Sequence, residues 1–93
     1  MPRSSDAPSK MEILLLTALA RAPMHGYELK LELAYKHVEW WAKCEHGHLY
    51  AALPRLLRRG DIALVAPGRD EGRGKRVFQV TPAGLARARA ALV

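Results

Sequence analysis

The chain has one cysteine, Cys44, and one phenylalanine, Phe78, and aromatic residues make up only 6% of its 93 residues. A single cysteine rules out an internal disulfide, and with it the disulfide-held scaffolds that support many short secreted chains. Long apolar runs are missing too. Ile13–Leu16 is far short of the roughly 20 apolar residues that cross a bilayer. The N-terminus lacks the basic, apolar and small-residue succession of a secretory signal, so the expected location is the cytoplasm. No Gly-rich phosphate loop is present, nor a Ser/His/Asp set at a familiar catalytic spacing. The sequence therefore predicts neither an enzyme nor a cofactor. Cys44 beside His46 is the nearest thing to a nucleophile and base, and a lone Cys near a His is far more often incidental.

Acidic residues are scarce in one half only. Residues 1–45 hold six Lys/Arg and six Asp/Glu, whereas residues 46–93 hold nine and three, so the whole net charge of +6 sits in the second half. A basic half on a small domain predicts an anionic partner such as nucleic acid; solubility by excess charge is the plainer alternative.

What is present follows a clear order. Residues 1–8 carry two prolines and no apolar period, and are expected to be a disordered arm. Ser9, with Glu12 three residues on, forms a capping-box pattern for a helix over Lys10–Ala22. Ile13, Leu16, Leu19 and Ala20 recur there at helical spacing. Pro23-Met24-His25-Gly26 breaks it, and a second helix is predicted over Gly26–Lys36 with Leu29, Leu33 and Val38 inward. Trp40-Trp41 reads as an aromatic linker. A third helix over Gly47–Arg59 has Leu49, Leu53, Leu56 and Leu57 as its core stripe and Gly60 as its stop. Pro54 inside it predicts a kink or a tightened turn. Asp61–Ala66 and Lys75–Val80 read as two strands around a glycine-rich, charged tip at Pro67–Gly74. Ile62 and Leu64 share one face of the first strand. Thr81 and Pro82 have the cap and first-position chemistry of a last helix.

Helix, helix, helix, hairpin, helix is the order of a winged helix-turn-helix: mainly α with a small β-hairpin, comprising three helices, a two-stranded wing and a C-terminal helix. The expected division is an arm over 1–8, the DNA-binding domain over 9–81, and a dimerisation helix over 82–93. In such a fold the second helix of the pair enters the major groove of double-stranded DNA, and its first turn meets base edges. That places His46, Gly47, His48 and Tyr50 at the bases or the nearby phosphates, and Arg55 and Arg58 on phosphate. Arg69, Arg73, Lys75 and Arg76 give the wing a basic strip suited to the minor groove or the backbone. His25 and Tyr27, at the turn into the second helix, join this set. Tyr27 reads as core with a hydroxyl within reach of a phosphate.

Four stretches resemble the PadR family of bacterial transcriptional regulators. Pro23-Met24-His25-Gly26-Tyr27-Glu28-Leu29 is similar to the family's Pro-x-His-Gly-Tyr-Glu turn. Trp41 with Gly47-His48-Leu49-Tyr50 is similar to its Trp…Gly-Ser-(Ile/Leu)-Tyr. Arg55-Leu56 with Gly60 matches the end of its third helix, and Arg73 through Gly84 resembles its wing followed by Thr-x-x-Gly. His48, Ala51 and Gly74 stand where the family usually has Ser, Pro and Pro, and a proline appears instead at Pro54. The resemblance implies a homodimer built through the C-terminal helix with help from the first, and repression of a nearby detoxification or efflux gene. In some members it implies an aromatic or drug-like ligand at the dimer interface. The residues for these two roles are Ile13, Leu16, Trp40, Trp41, Leu85, Ala88 and Leu92. Trp41 also reads as core.

Two rival readings remain. Cys44, His46 and His48, with His25, His37, Glu39 and Glu45, hold metal-ligand chemistry, but neither the Cys-x-x-Cys nor the His-x-x-x-His spacing of structural zinc sites occurs, so no metal is expected. A winged helix that has lost DNA binding and serves as an interaction module is the other.

Overall fold

Periodicity and capping set the helices. The computed structural model describes residues 8–44, 47–65 and 76–92. Helix α1 spans Lys10–Arg21, and its start is the expected capping box: the Glu12 N–H donates to Ser9 Oγ (3.2 Å) and the Ser9 N–H donates to Glu12 Oε1 (3.1 Å). Strand β1 is Met24–His25, α2 is Gly26–Lys36, α3 is Val38–Lys43 and α4 is Gly47–Arg59. Strands β2 (Ile62–Leu64) and β3 (Val77–Val80) follow, and then α5 (Pro82–Leu92).

Among the described residues the sheet has three strands, not the two of a simple wing. β3 is central, antiparallel to β2 on one side and to β1 on the other, with Phe78 opposite both Leu64 and Met24. Two residues have no period to read, which is why Met24–His25 looked like a plain break. The Trp40-Trp41 segment is also corrected. It lies on α3, a helix of six residues that restarts after His37 leaves helical geometry (φ −128°, ψ 52°). That interruption resets the helical phase, so Val38 faces outward instead of continuing the Leu29–Leu33 face.

The core is built from Leu15 and Leu16 of α1, Leu29 and Leu33 of α2, Trp41 of α3, Leu49 and Leu56 of α4, Ile62, Phe78, and Ala88 of α5. Leu64 is exposed although it lies on the same face of its strand as the buried Ile62, burial falling from residue to residue along β2. The end of α4 is fixed by Gly60 at φ +84°, a left-handed conformation that favours glycine. Around it the Asp61 N–H donates to the Leu56 carbonyl (3.0 Å) and the Gly60 N–H to that of Leu57 (3.1 Å), which satisfies two carbonyls the helix end would otherwise leave open. α4 runs on through Pro54. The expected arm, apart from Pro8, and the wing tip lie outside the described residues.

Candidate nucleic-acid interface

α4 is amphipathic, and its apolar side is fully used. Leu49, Ala52, Leu53 and Leu56 are buried, which leaves His48, Tyr50, Ala51, Pro54 and Arg58 outward. Tyr50 is 48% exposed and stands at the mouth of a cleft of about 310 Å³. Gly26, Leu53, Pro54, Leu57, Arg76 and Phe78 complete its lining. Three stretches far apart in sequence therefore meet on one face: the start of α2, the outward side of α4 and the root of the wing at Arg76.

His25 holds the start of α2 in place. Its Nδ1 accepts from the Glu28 N–H (3.2 Å), and Glu28 Oε1 accepts from the His25 N–H (3.0 Å). This is a capping box with an imidazole in the role usually filled by Ser or Thr. An accepting Nδ1 leaves the ring proton on Nε2. Tyr27 is 58% exposed, not core, and Lys30 Nζ lies 5.8 Å from its ring centroid.

Arg55 is placed differently from the sequence expectation. Its Nε donates to Glu12 Oε2 at 3.0 Å, and Arg59 Nη1 donates to Glu12 Oε1 at 3.3 Å, so both side chains lie back against α1. The Glu12 carboxylate is buried. Burial raises its pKa, but the Ser9 N–H and the two arginines outweigh that and hold it below the ordinary carboxylate value. Glu12 is thus more than a capping residue. The missed signal was its phase, since Glu12, Leu15, Leu16 and Leu19 share one helical face. Asp61 is the second buried carboxylate, with Oδ2 at 2.9 Å from Arg87 Nε and 3.8 Å from Arg59 Nη1. The Arg87 contact is an ion pair, not a hydrogen bond.

The other expected positions divide as follows. Arg58 and His48 are exposed on α4, and Gly47 opens it. His46, Arg69, Arg73 and Lys75 lie outside the described residues. Leu16, Trp41 and Ala88 belong to the core of the single chain, so they offer no face to a second copy. Ile13, Leu85 and Trp40 are half-buried, and Lys10 Nζ stands 5.4 Å from the Trp40 ring centroid. The side chain of Leu92 is outside those described. A larger open cleft, about 680 Å³, runs between the end of α1 and α2 past Pro23, Met24, Leu31 and Tyr35, and neither tryptophan lines it. Among the described residues no group of three His, Cys, Asp or Glu side chains converges to hold a metal.

The sequence model of the Transcriptional regulator PadR-like family matches residues 15–90. No curated protein matches the chain. Among solved structures it is similar to Bacillus subtilis PadR in complex with operator DNA, at 18% identity and a TM-score of 0.77, over 91% of this chain and 48% of that one. It is also similar to a transcriptional regulator from Clostridium thermocellum (21% identity, TM-score 0.76, 99% of this chain and 85% of that one). A third likeness is to a putative transcriptional regulator from Thermoplasma acidophilum (25% identity, TM-score 0.68, 86% and 74%). The chain thus spans about half the length of the Bacillus subtilis protein.

Proposed function

The chain belongs to the PadR-like family of transcriptional regulators, and on that premise we propose that it binds double-stranded operator DNA as a homodimer, with α4 in the major groove and the wing on the minor groove or backbone. The observation that carries this is one cleft lined by Gly26, at the start of α2, together with Tyr50 and Arg76, the last two from the half of the sequence that holds the excess positive charge. A solvent-facing α4 with a polar first turn suits base edges, and flanking cations suit phosphate.

The regulatory consequence of such binding is repression of a neighbouring detoxification or efflux gene, and the working location is the cytoplasm. α5 and the half-buried Ile13 and Leu85 are the available dimer surface, since Leu16 and Ala88 are taken by the core. Trp40, not Trp41, is the ring left for an aromatic effector. Quenching of fluorescence by flat aromatic compounds should therefore vanish in Trp40→Phe.

The test is a gel shift on DNA from upstream of the protein's own gene across a salt series. Tyr50→Ala should cost specific binding about 1–3 kcal/mol and leave non-specific binding nearly intact. Arg76→Ala should weaken both and flatten the log–log salt slope by about 0.9. Unchanged binding in both variants would sink the docking geometry, and no binding by the wild type at low salt would sink the function.

A further inference from the structure

We propose that Glu12 decides which arginines of α4 can reach DNA: it holds Arg55 and Arg59 against α1 and leaves Arg58 as the helix's phosphate-facing cation. The inference rests on the DNA-binding reading above and goes beyond it by giving a residue on a different helix control over the charge that α4 presents.

The geometry is that of a clamp. Arg55 and Arg59 are four residues apart, on the flank of α4 that faces α1. Ala51, Pro54 and Arg58, spaced at i, i+3 and i+7, run along the outward side. The Glu12 carboxylate is 3% exposed and takes three donors: Arg55 Nε at 3.0 Å, Arg59 Nη1 at 3.3 Å and the Ser9 N–H at 3.1 Å. Arg55 is tied down further, with Nη1 3.4 Å from the Ala51 carbonyl. Arg59 also leans toward Asp61 Oδ2 at 3.8 Å, and Asp61 in turn pairs with Arg87 of α5.

Competition between Glu12 and a DNA phosphate then favours Glu12. Drawing Arg55 or Arg59 away from this buried carboxylate breaks a charge-assisted hydrogen bond in a medium of low dielectric and leaves Glu12 with the other arginine and the Ser9 N–H alone, which is costly. A phosphate gained in exchange sits in water and salt, where a single contact is weak and screened. Two of the three arginines on α4 are therefore withheld from the sequence-independent part of binding. Discrimination depends on that part staying small. Glu12 is a positioning residue, and its effect should appear in the salt dependence of binding to DNA of no particular sequence.

The experiment measures the affinity of the full chain for a random-sequence DNA duplex over a salt series. Wild type is compared with Arg55→Gln, Arg58→Gln and Glu12→Gln, with folding of each checked by circular dichroism. Arg58→Gln should flatten the slope by about 0.9, the loss of one phosphate contact. Arg55→Gln should leave the slope unchanged. Glu12→Gln, which frees one or two arginines, should steepen it by about 0.9 to 1.8 and tighten non-specific binding at low salt. A slope flattened by Arg55→Gln as much as by Arg58→Gln overturns the inference, as does a folded Glu12→Gln with the wild-type slope. Should Glu12→Gln not fold, the two arginine variants decide alone. Absence of wild-type binding to any duplex overturns the DNA-binding reading itself, and this inference with it.

Discussion

The carbonyl oxygen of Asp61 occupies the space that a side chain at Gly84 would need: an ideal β-carbon on Gly84 would stand 2.1 Å from it. Helix α5 rests directly on the turn that follows α4, and Thr81 fastens the same joint. The Thr81 N–H donates to the Asp61 carbonyl (3.0 Å), and Thr81 Oγ1 accepts from the Gly84 N–H (3.0 Å). Its hydroxyl proton has the Gly60 carbonyl at 2.6 Å and the Asp61 carbonyl at 3.0 Å as acceptors. The Thr-x-x-Gly spacing is thus a hydroxyl cap and a point of backbone contact in one.

Gly84→Ala should destabilise the fold. Alanine is favoured over glycine inside a helix by about 1 kcal/mol. Forced overpacking costs about 1–3 kcal/mol and at times more, and backbone cannot yield as a flexible side chain does. A net loss of up to about 2 kcal/mol is expected, read as a lower urea midpoint; a gain would show that α5 can lift off the turn freely. Thr81→Val, which keeps the shape and removes the hydroxyl, should cost about 1–2 kcal/mol by the loss of its cap.

Acid should weaken the α1–α4 clamp. The folded-state pKa of Glu12 is depressed, so its contribution is fully present above the unfolded carboxyl value, about 4.3, and is lost as pH falls through the lower folded value. The stability difference between wild type and Glu12→Gln, from urea unfolding at a series of pH values, should be constant above about pH 5 and shrink below about pH 4. A difference that stays flat into strong acid would mean that the carboxylate charge contributes nothing.

Replacing Pro54, which lies inside α4, should stabilise the helix. Pro54→Ala restores a backbone donor inside α4 and should raise stability by about 1–3 kcal/mol. Because Pro54 also lines the Tyr50 cleft, the same variant should alter DNA affinity. Unchanged stability would show that α4 has already relaxed around the ring.

Leu33 and Val38 separate core from surface. Leu33→Ala removes a fully buried side chain and should cost about 2–5 kcal/mol. Val38→Ser, at a position 62% exposed, should stay within about 0.5 kcal/mol of wild type. Comparable losses would mean that α3 packs differently.

These residues also show where sequence reading works. The long helices and their ends were legible because they rest on local chemistry: the Ser9–Glu12 box, the Gly60 stop and the Thr81 cap are each encoded within a few residues. β1 and α3 were not, since two residues have no period and six make fewer than two turns. Val38 faces outward because the helical phase is not carried across the break at His37. Two residues singled out from sequence, Tyr50 and Arg76, line one cleft of the candidate interface. The direction of Arg55 was not legible, because it is set by a carboxylate 43 residues away.

The central position of β3 has a kinetic consequence. Its pairing with β2 joins neighbouring segments, but its pairing with β1 brings Met24 to Phe78 and closes a loop that holds α2, α3 and α4. Loops of that length are entropically slow to close, whereas helices and short hairpins form early. The Met24–Phe78 rung is therefore expected to form late in folding. When it does, the start of α2 and the root of the wing are joined in a single event, and the cleft beside Tyr50 comes into existence only then.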